Sequence, residues 1–231
     1  MAKRAAGRLI VLDGLDGSGK STQGELAAAA LEASGEPVRL ISFPDYTKPS
    51  SALVKMYLGG EFGSDPADVN AYAAGSFYAV DRYASFKKFW EADYQAGKTI
   101  LATRYTTSNA IYQMEKLPQQ EWDGYLDWLA GYEYGLLELP RPDLVVFLDM
   151  GREVADQLLL SRYGGDPDKQ DIHEKNKSYL ARCRETALYS ADKLGWRVLR
   201  CDDGESPLPQ EAVTSAVLAA IRETLPLHKQ K

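Results

Sequence analysis

GLDGSGKS, at residues Gly14–Ser21, is the most informative stretch of this 231-residue sequence. It matches the pattern G-x-x-x-x-G-K-[ST], and it stands between an apolar run at Arg8–Leu12 and a helical pattern at Lys20–Ser34. A strand, a glycine-rich turn and a helix in that order point backbone N–H groups at phosphate oxygens, and the helix N-terminus adds partial positive charge. The sequence therefore predicts a phosphate-binding loop.

The residues of this loop have predicted roles in holding a nucleoside triphosphate and its magnesium ion. The Lys20 ammonium would reach the β and γ phosphates, the Ser21 hydroxyl would bind Mg²⁺, and Thr22 would contact the α phosphate. The alternative is a glycine-rich strand-to-helix turn with an incidental lysine, and we reject it because both the motif and its context match. The other residues predicted to surround the phosphates are Gly14, Asp16, Gly17, Ser18 and Gly19.

Apolar runs alternate with longer helical patterns along the sequence, which is typical of an α/β fold. We expect a five-stranded parallel sheet flanked by helices on both faces, of the phosphate-loop NTPase type. In the first helix, Leu26, Ala30 and Leu31 are expected to face the sheet. After the first strand, the predicted strands are Val38–Ser42, Thr99–Ala102, Leu144–Leu148 and Arg197–Leu199. The predicted helices are Lys20–Ser34, Ala67–Gln95, Gln119–Leu137, Glu153–Ser161, Lys175–Leu194 and Pro209–Leu225.

The overall composition indicates a globular protein with a sizeable core. Hydrophobic residues make up 45% of the chain and charged residues 26%, and the formal net charge is −6. An acidic chain argues against a nucleic-acid partner, because such binding needs a basic face. The sequence has no apolar stretch of about 18 residues, so we expect no membrane span. Cys183 and Cys201 lack metal-binding or redox spacing, which fits a reducing, cytoplasmic location.

One segment interrupts the helical patterns with glycine, proline and aspartate. Residues 162–171 read RYGGDPDKQD and lie between two predicted helices. Such a segment is a candidate lid over a bound ligand. Because we find no repeat and no long linker, we interpret residues 1–231 as one domain that carries this lid.

Several motifs follow the phosphate loop in the order of the predicted strands. They are Phe43-Pro44 after the second strand, the pair Tyr78 and Arg82 on the long helix, Arg104-Tyr105 after the third strand, and then Ser108-Asn109 and Tyr112-Gln113. Their order and spacing resemble the thymidylate kinase family of nucleoside monophosphate kinases, from Leu9 to about Cys201. The resemblance implies that ATP donates its γ-phosphoryl group to dTMP, giving dTDP for dTTP synthesis, with Mg²⁺ as cofactor. It also implies a homodimer.

The resemblance further implies the residues of an acceptor site. Arg82 would lie on the phosphate side of the monophosphate site, and Tyr78 would stack on the base, where a phenylalanine is usual. Arg104 would grip the acceptor nucleotide, since a planar guanidinium suits bidentate phosphate contacts. The residues implied for the thymine edge, the deoxyribose and the pocket wall are Phe43, Asn109, Tyr112 and Gln113.

Catalysis in this family also uses a mobile arginine, from the phosphate loop or from the lid. The loop carries Gly17 and Ser18 where an arginine could stand, so the resemblance favours Arg162 in the lid, with Lys169 second. Asp16 resembles the residue that approaches the acceptor sugar, although an acid near a helix N-terminus is favourable in any case.

One departure from the family pattern bears on activity. The third strand of the family ends in an aspartate before the arginine, and Thr103 occupies that position here. One alternative, which Thr103 motivates, is a nucleotide-binding homologue with weakened catalysis. The other is a kinase for another nucleoside or its monophosphate, because such kinases share the phosphate loop and the sheet. A GTPase-like switch is less favoured because the sequence has no N-K-x-D motif.

Overall fold

The computed structural model describes residues 7–162 and 177–224. Within them, five strands form one sheet in the order β2-β3-β1-β4-β5, and every neighbouring pair is parallel. This confirms the predicted fold class. The strands are β1 (Arg8–Gly14), β2 (Val38–Ser42), β3 (Thr99–Thr103), β4 (Leu144–Asp149) and β5 (Arg197–Arg200).

Helices cover both faces of the sheet and connect its strands. They are α1 (Lys20–Ala33), α2 (Ala52–Leu58), α3 (Ala71–Ser85), α4 (Glu91–Gln95), α5 (Thr106–Tyr112), α6 (Trp122–Ala130), α7 (Arg152–Arg162), α8 (Lys177–Leu194) and α9 (Gln210–Thr224). None of the helices in the described ranges is both long and apolar enough to cross a bilayer.

The central strand β1 divides the core into two layers, because successive side chains of a strand point to opposite faces. Ile10 and Leu12 pack with residues of α1 and α9 on one face. Leu9 and Val11 pack on the other face, in a cluster that includes Trp90. These four side chains are almost completely buried. The strand that precedes the phosphate loop is therefore held from both sides.

Two of the predicted helices each contain a π-helical stretch in the structure. The predicted helix Ala67–Gln95 comprises α3 and α4, joined by a π-helical stretch at Phe86–Trp90. The predicted helix Gln119–Leu137 comprises α6 and a second π-helical stretch at Gly131–Leu136. A π-helical turn adds a residue to the turn, so it changes which side chains face inward.

The prediction for α1 was wrong about the buried face. Leu26 is 39% exposed and Ala30 is partly exposed, whereas Leu31 is buried as expected. Half of the buried residues of α1 are small, namely Gly24, Ala27 and Ala28. A hydrophobic pattern gives weight to large side chains, but here the close approach of α1 to the sheet requires small ones.

Gly24 is a point of close approach between α1 and β3, and this contact leads to a prediction about stability. A Cβ atom at this position would lie 2.5 Å from Cγ2 of Thr103 on β3. We expect Gly24→Ala to lower the free energy of unfolding by about 1–3 kcal/mol, because a packed interior has no room for the methyl group. Urea denaturation measures this change.

Two further variants test whether the contact between Gly24 and Thr103 causes the loss of stability. Thr103→Ser removes the opposing methyl group, so Gly24→Ala should cost less than half as much in that background. Gly124→Ala is the matched control, because a Cβ there meets no atom within 4 Å, and it should be neutral or stabilise by up to about 1 kcal/mol. Equal costs of Gly24→Ala in both backgrounds would contradict this account.

Candidate active site

The loops that follow β1, β2 and β3 meet at the carboxyl edge of the sheet, where parallel α/β folds bind their ligands. A cavity of about 350 Å³ opens between them. It brings together every residue that the sequence implied for the acceptor site. These residues are Phe43, Tyr78, Arg82, Arg104, Asn109, Tyr112 and Gln113, and the phosphate-loop residues in the lining are Asp16, Gly17, Gly19, Lys20, Ser21 and Thr22.

The phosphate loop has the backbone geometry that its glycines allow. Gly17 and Gly19 have φ angles of 85° and 83°, in the left-handed region that favours glycine. Gly17 also lies against α7, since a Cβ atom there would be 2.6 Å from the carbonyl oxygen of Ala155. Gly19 directly precedes α1, so the N-terminus of that helix faces the cavity.

Lys20 lies over the loop with its ammonium group buried. Its Nζ donates to the carbonyl oxygen of Leu15 at 3.1 Å and to Oδ1 of Asp16 at 3.2 Å. Burial and, next, the positive charge of Arg104 lower the pKa of Lys20 to about 8 against the opposing effects of Asp16 and Asp13. The ammonium group is therefore poised to gain from an additional anion.

Asp16 connects both sides of the site. Besides Lys20, it pairs with the guanidinium of Arg104, and its Oδ2 accepts a hydrogen bond from the Tyr112 hydroxyl at 3.2 Å. These partners all line the cavity. Asp16 thus joins the phosphate loop to residues that follow β3, and both interpretations that the sequence left open for it stay predictions.

Arg104 is held in an unusual backbone conformation. Its φ angle of 66° lies in the left-handed region, which costs a residue other than glycine about 1–3 kcal/mol. Its guanidinium lies 5.0 Å above the ring of Tyr112. Burial lowers its pKa, but Asp16, Tyr112 and Asp13 together more than offset that effect, so the pKa is raised well above the ordinary value. Arg104 is thus a fixed cation beside the phosphate loop.

Arg82 lines the cavity, and its role there stays a prediction. It is 1% exposed and forms a bidentate ion pair with Glu133, with nitrogen–oxygen distances of 2.7 and 2.6 Å. Its Nη1 donates to the Tyr105 carbonyl oxygen at 3.2 Å. The same Glu133 accepts from Nδ2 of Asn109. Arg82 is therefore a neighbour of Asn109, while Arg104 is the arginine that contacts the phosphate loop.

Amide side chains line the same end of the cavity. Nδ2 of Asn109 donates to the Gly75 carbonyl oxygen and to Oε1 of Glu133, both at 3.1 Å. Gln113 is 1% exposed, and its Oε1 has no hydrogen-bond partner among the residues that the structure describes. A buried acceptor without a partner is rare in proteins, and here it lies in the wall of the cavity.

A second cavity, of about 250 Å³, lies on the other side of the phosphate loop. The loop residues Gly17, Gly19 and Thr22 line both cavities. The buried Ser18 hydroxyl, which lines only the second cavity, has no hydrogen-bond partner in the described part of the chain. The other residues of its wall are Gln23, Met150, Leu158, Leu159, Cys201, Pro207, Leu208, Gln210 and Val213. No sequence motif marked this wall, because its members come from unrelated segments.

Thr103, the departure from the family pattern, packs away from both cavities. It is 4% exposed and faces Gly24. The register pairs Thr103 with Leu12 of the adjacent strand β1, and the next residue of β1 is the carboxylate Asp13. Asp13 is completely buried and accepts from the Gly14 N–H at 2.8 Å and from the Ser108 hydroxyl at 2.7 Å. Asp13 therefore ties the phosphate loop to α5.

Sequence reasoning did not identify Asp13 or Glu133 as site residues. Glu133 stands in an aromatic and apolar stretch, and an isolated acid in such a stretch is a signal that it is buried and paired. Asp13 directly precedes the glycine-rich motif and reads as the end of a strand. In both cases the sequence shows the acidic residue but not the side chains that hydrogen-bond to it.

The side chains of the two predicted lid cations lie outside the described part of the structure. Arg162 is the last residue of α7, and its side chain is outside the described part of the structure, as is Lys169. Within the described ranges, no group of three or more His, Cys, Asp or Glu side chains is arranged to hold a metal ion. Ser21, in the first turn of α1 and in the cavity wall, has the hydroxyl oxygen that suits Mg²⁺ when phosphates supply further ligands.

Comparisons with known proteins agree with this geometry. A thymidylate kinase from Mycobacterium tuberculosis is 29% identical over 176 residues, which cover 75% of this chain and 81% of the relative. A thymidylate kinase from Schizosaccharomyces pombe is 31% identical over 176 residues, which cover 76% of each chain.

A solved structure shares the fold. The thymidylate kinase of Candida albicans superimposes with a TM-score of 0.67 over 98% of this chain and 96% of its own, at 22% identity. The family model described as thymidylate kinase matches residues 12–206. The chain belongs to the thymidylate kinase family.

Proposed function

We propose that this protein transfers the γ-phosphoryl group of ATP to dTMP and releases dTDP and ADP. The observation that carries this proposal is the position of the phosphate loop between two cavities. A nucleotide hydrolase needs one nucleotide site, whereas a phosphotransferase needs two that meet at the transferred group. We propose that the donor nucleoside occupies the cavity beside Pro207 and that the acceptor occupies the cavity beside Tyr78.

We propose that the thymine ring lies between Tyr78 and Phe43, at the end of the cavity that contains the amide side chains. Thymine carries carbonyl oxygens and one N–H group, so it needs both donors and an acceptor from the protein. The Arg82 guanidinium supplies donors, and the amides of Asn109 and Gln113 supply acceptors. In this proposal Arg82 contacts the base rather than the acceptor phosphate.

Positioning and charge neutralisation would carry out the transfer. An acceptor phosphate is already ionised near neutral pH, so it needs no general base. Lys20 and Arg104 flank Asp16, and we propose that they hold the transferred phosphoryl group from the donor and acceptor sides. Mg²⁺ bound through Ser21 and the donor phosphates would neutralise further charge. The lid cation at Arg162 or Lys169 stays a prediction.

The direct test is a coupled ADP-release assay with ATP and Mg²⁺. The acceptors offered in parallel are dTMP, dUMP, dCMP, dGMP, AMP and thymidine. We expect the highest kcat/KM with dTMP, at least about tenfold above dCMP, because a mismatched base leaves buried polar groups unpaired. Lys20→Met should lose turnover with every acceptor, which excludes a contaminating kinase.

Other outcomes of this assay would contradict the proposal in distinct ways. Turnover of thymidine in place of dTMP would make the protein a nucleoside kinase. Turnover of another monophosphate would change the assigned base. Tight ATP binding without turnover of any acceptor would identify a nucleotide-binding homologue.

The lowered pKa of Lys20 predicts a pH dependence of ATP binding. The ammonium form is complete well below pH 8 and is lost as the pH rises through about 8. The ATP dissociation constant should therefore be flat near pH 7 and rise by up to about tenfold per pH unit above pH 8. Isothermal titration calorimetry between pH 7 and 9.5 measures it. Lys20→Met should bind weakly with a flat profile, and a flat wild-type profile would refute the assignment.

We also propose that the protein is a cytoplasmic homodimer that associates through α3. Tyr72, Val80 and Tyr83 share one face of this helix and are 39%, 40% and 41% exposed. Leu136 is 80% exposed. Exposed apolar side chains that share a face are typical of protein interfaces. The buried free thiols of Cys183 and Cys201 fit a reducing compartment.

The oligomeric state tests the dimer proposal. Light scattering after size-exclusion chromatography should give twice the chain mass of 25.6 kDa for the wild type. Val80→Glu should give a monomer, because a charge cannot be buried unpaired in an interface. Leu26→Glu, on the exposed face of α1, should remain dimeric. A wild-type mass of one chain would reject the proposal.

A further inference from the structure

We infer that Glu133 is the positioning residue that sets the base preference of the acceptor site, by fixing the direction of the hydrogen-bonding groups of Arg82 and Asn109. This inference rests on the proposed function, because it specifies how the same cavity would distinguish thymine from cytosine. Glu133 itself does not line the cavity, whereas Arg82 and Asn109 do.

The contacts of Glu133 are the first step of the argument. Its side chain is 0% exposed, and it accepts hydrogen bonds from three side chains. Two come from Arg82, at 2.7 and 2.6 Å, one comes from Asn109 at 3.1 Å, and one comes from the Thr106 hydroxyl at 3.4 Å. A buried carboxylate requires partners of this kind, because its desolvation is otherwise very costly.

These contacts determine which atom of the Asn109 amide faces the cavity. The amide nitrogen uses its two N–H groups on Glu133 and on the Gly75 carbonyl oxygen. An ionised carboxylate only accepts hydrogen bonds, so it cannot pair with the amide oxygen. Oδ1 of Asn109 is therefore the atom available to a ligand, and it is an acceptor.

The same ion pair fixes the donors of Arg82. Nε and one N–H of Nη2 bind Glu133, and one N–H of Nη1 binds the Tyr105 carbonyl oxygen. A guanidinium has five N–H groups, so two remain. The cavity therefore combines donors from Arg82 with an acceptor from Asn109.

This combination is complementary to one type of pyrimidine edge. Thymine has a carbonyl oxygen at C4 next to an N–H at N3, which match a donor and an acceptor. Cytosine has an amino group at C4 next to an unprotonated N3, so it would set donor against donor and acceptor against acceptor. A neutral glutamine at position 133 could donate to Oδ1 of Asn109, so the amide could turn and present its N–H groups instead.

The fold explains how an acid reaches this position. Glu133 lies in the π-helical stretch Gly131–Leu136, and its carbonyl oxygen accepts from the Leu139 N–H at 3.0 Å. This turn follows α6, which packs against α5, the helix that carries Asn109. A π-helical turn redirects the side chains that follow it, and such turns are frequent at functional sites.

The experiment compares the wild type with E133Q and E133D. Both kcat/KM and the dissociation constants of dTMP and dCMP are measured, the latter by isothermal titration calorimetry. E133Q should reduce the preference for dTMP over dCMP by about 10-fold to 100-fold, through weaker dTMP binding and stronger dCMP binding, while kcat with dTMP falls less. E133D keeps the charge and should keep the direction of the preference, with a higher KM for dTMP.

Controls separate this role from a structural one. Glu36→Gln is the matched control, because Glu36 is a buried carboxylate that accepts from the Thr99 hydroxyl at the opposite edge of the sheet, and it should leave the preference unchanged. Thermal unfolding establishes that each variant is folded. An unchanged preference in folded E133Q would overturn the inference. Should E133Q not fold, an unchanged KM and preference in E133D would overturn it.

The binding data also distinguish the two proposals. A wild type that binds dTMP more tightly than dCMP but turns over neither would reject the proposed function and leave the inference about Glu133 standing. A wild type that turns over dTMP, together with Glu133 variants that keep the preference for dTMP, would support the proposed function and reject the inference about Glu133.

Discussion

Three cations beside one cavity, the buried Lys20 and Arg82 and the partly buried Arg104, are stable only because two carboxylates accompany them. A buried charge without a partner is among the most costly features a protein can have. Asp16 pairs with Lys20 and Arg104, and Glu133 pairs with Arg82. The site of an acidic chain can in this way concentrate positive charge where an anionic ligand would bind. The rest of the architecture keeps these pairs in place.

Each pair joins segments that are distant in the sequence, and the sheet provides the common frame. Asp16 follows β1 and Arg104 follows β3, and these strands are direct neighbours. Asp13, at the end of β1, binds the hydroxyl groups of Thr107 and Ser108 at the start of α5. The phosphate loop and the cavity beside Tyr78 are consequently joined by these contacts at the carboxyl ends of the strands.

Much of this arrangement could be predicted from local patterns. The strands were predictable because apolar runs alternate with helices, and the phosphate loop because its spacing has one known geometry. The partner of Arg82 was not predictable, because Glu133 is 51 residues away and lies on a π-helical turn that breaks the helical period. The inner face of α1 was misassigned because close packing favoured Gly24 over Leu26. Long-range pairing and close approach depend on three-dimensional packing, which a one-dimensional pattern does not contain.

The amide oxygen of Gln113 has a consequence for inhibitor chemistry. This atom is already buried in the cavity wall, and it has no hydrogen-bond partner in the described part of the chain. The free energy cost of removing this oxygen from water is therefore already present in the protein without a ligand. Because this oxygen has almost no solvent-accessible surface, an inhibitor N–H group reaches it only where the surrounding wall shifts, and the hydrogen bond then contributes about 1–3 kcal/mol. A scaffold of the same shape that lacks the N–H group would leave that affinity unused.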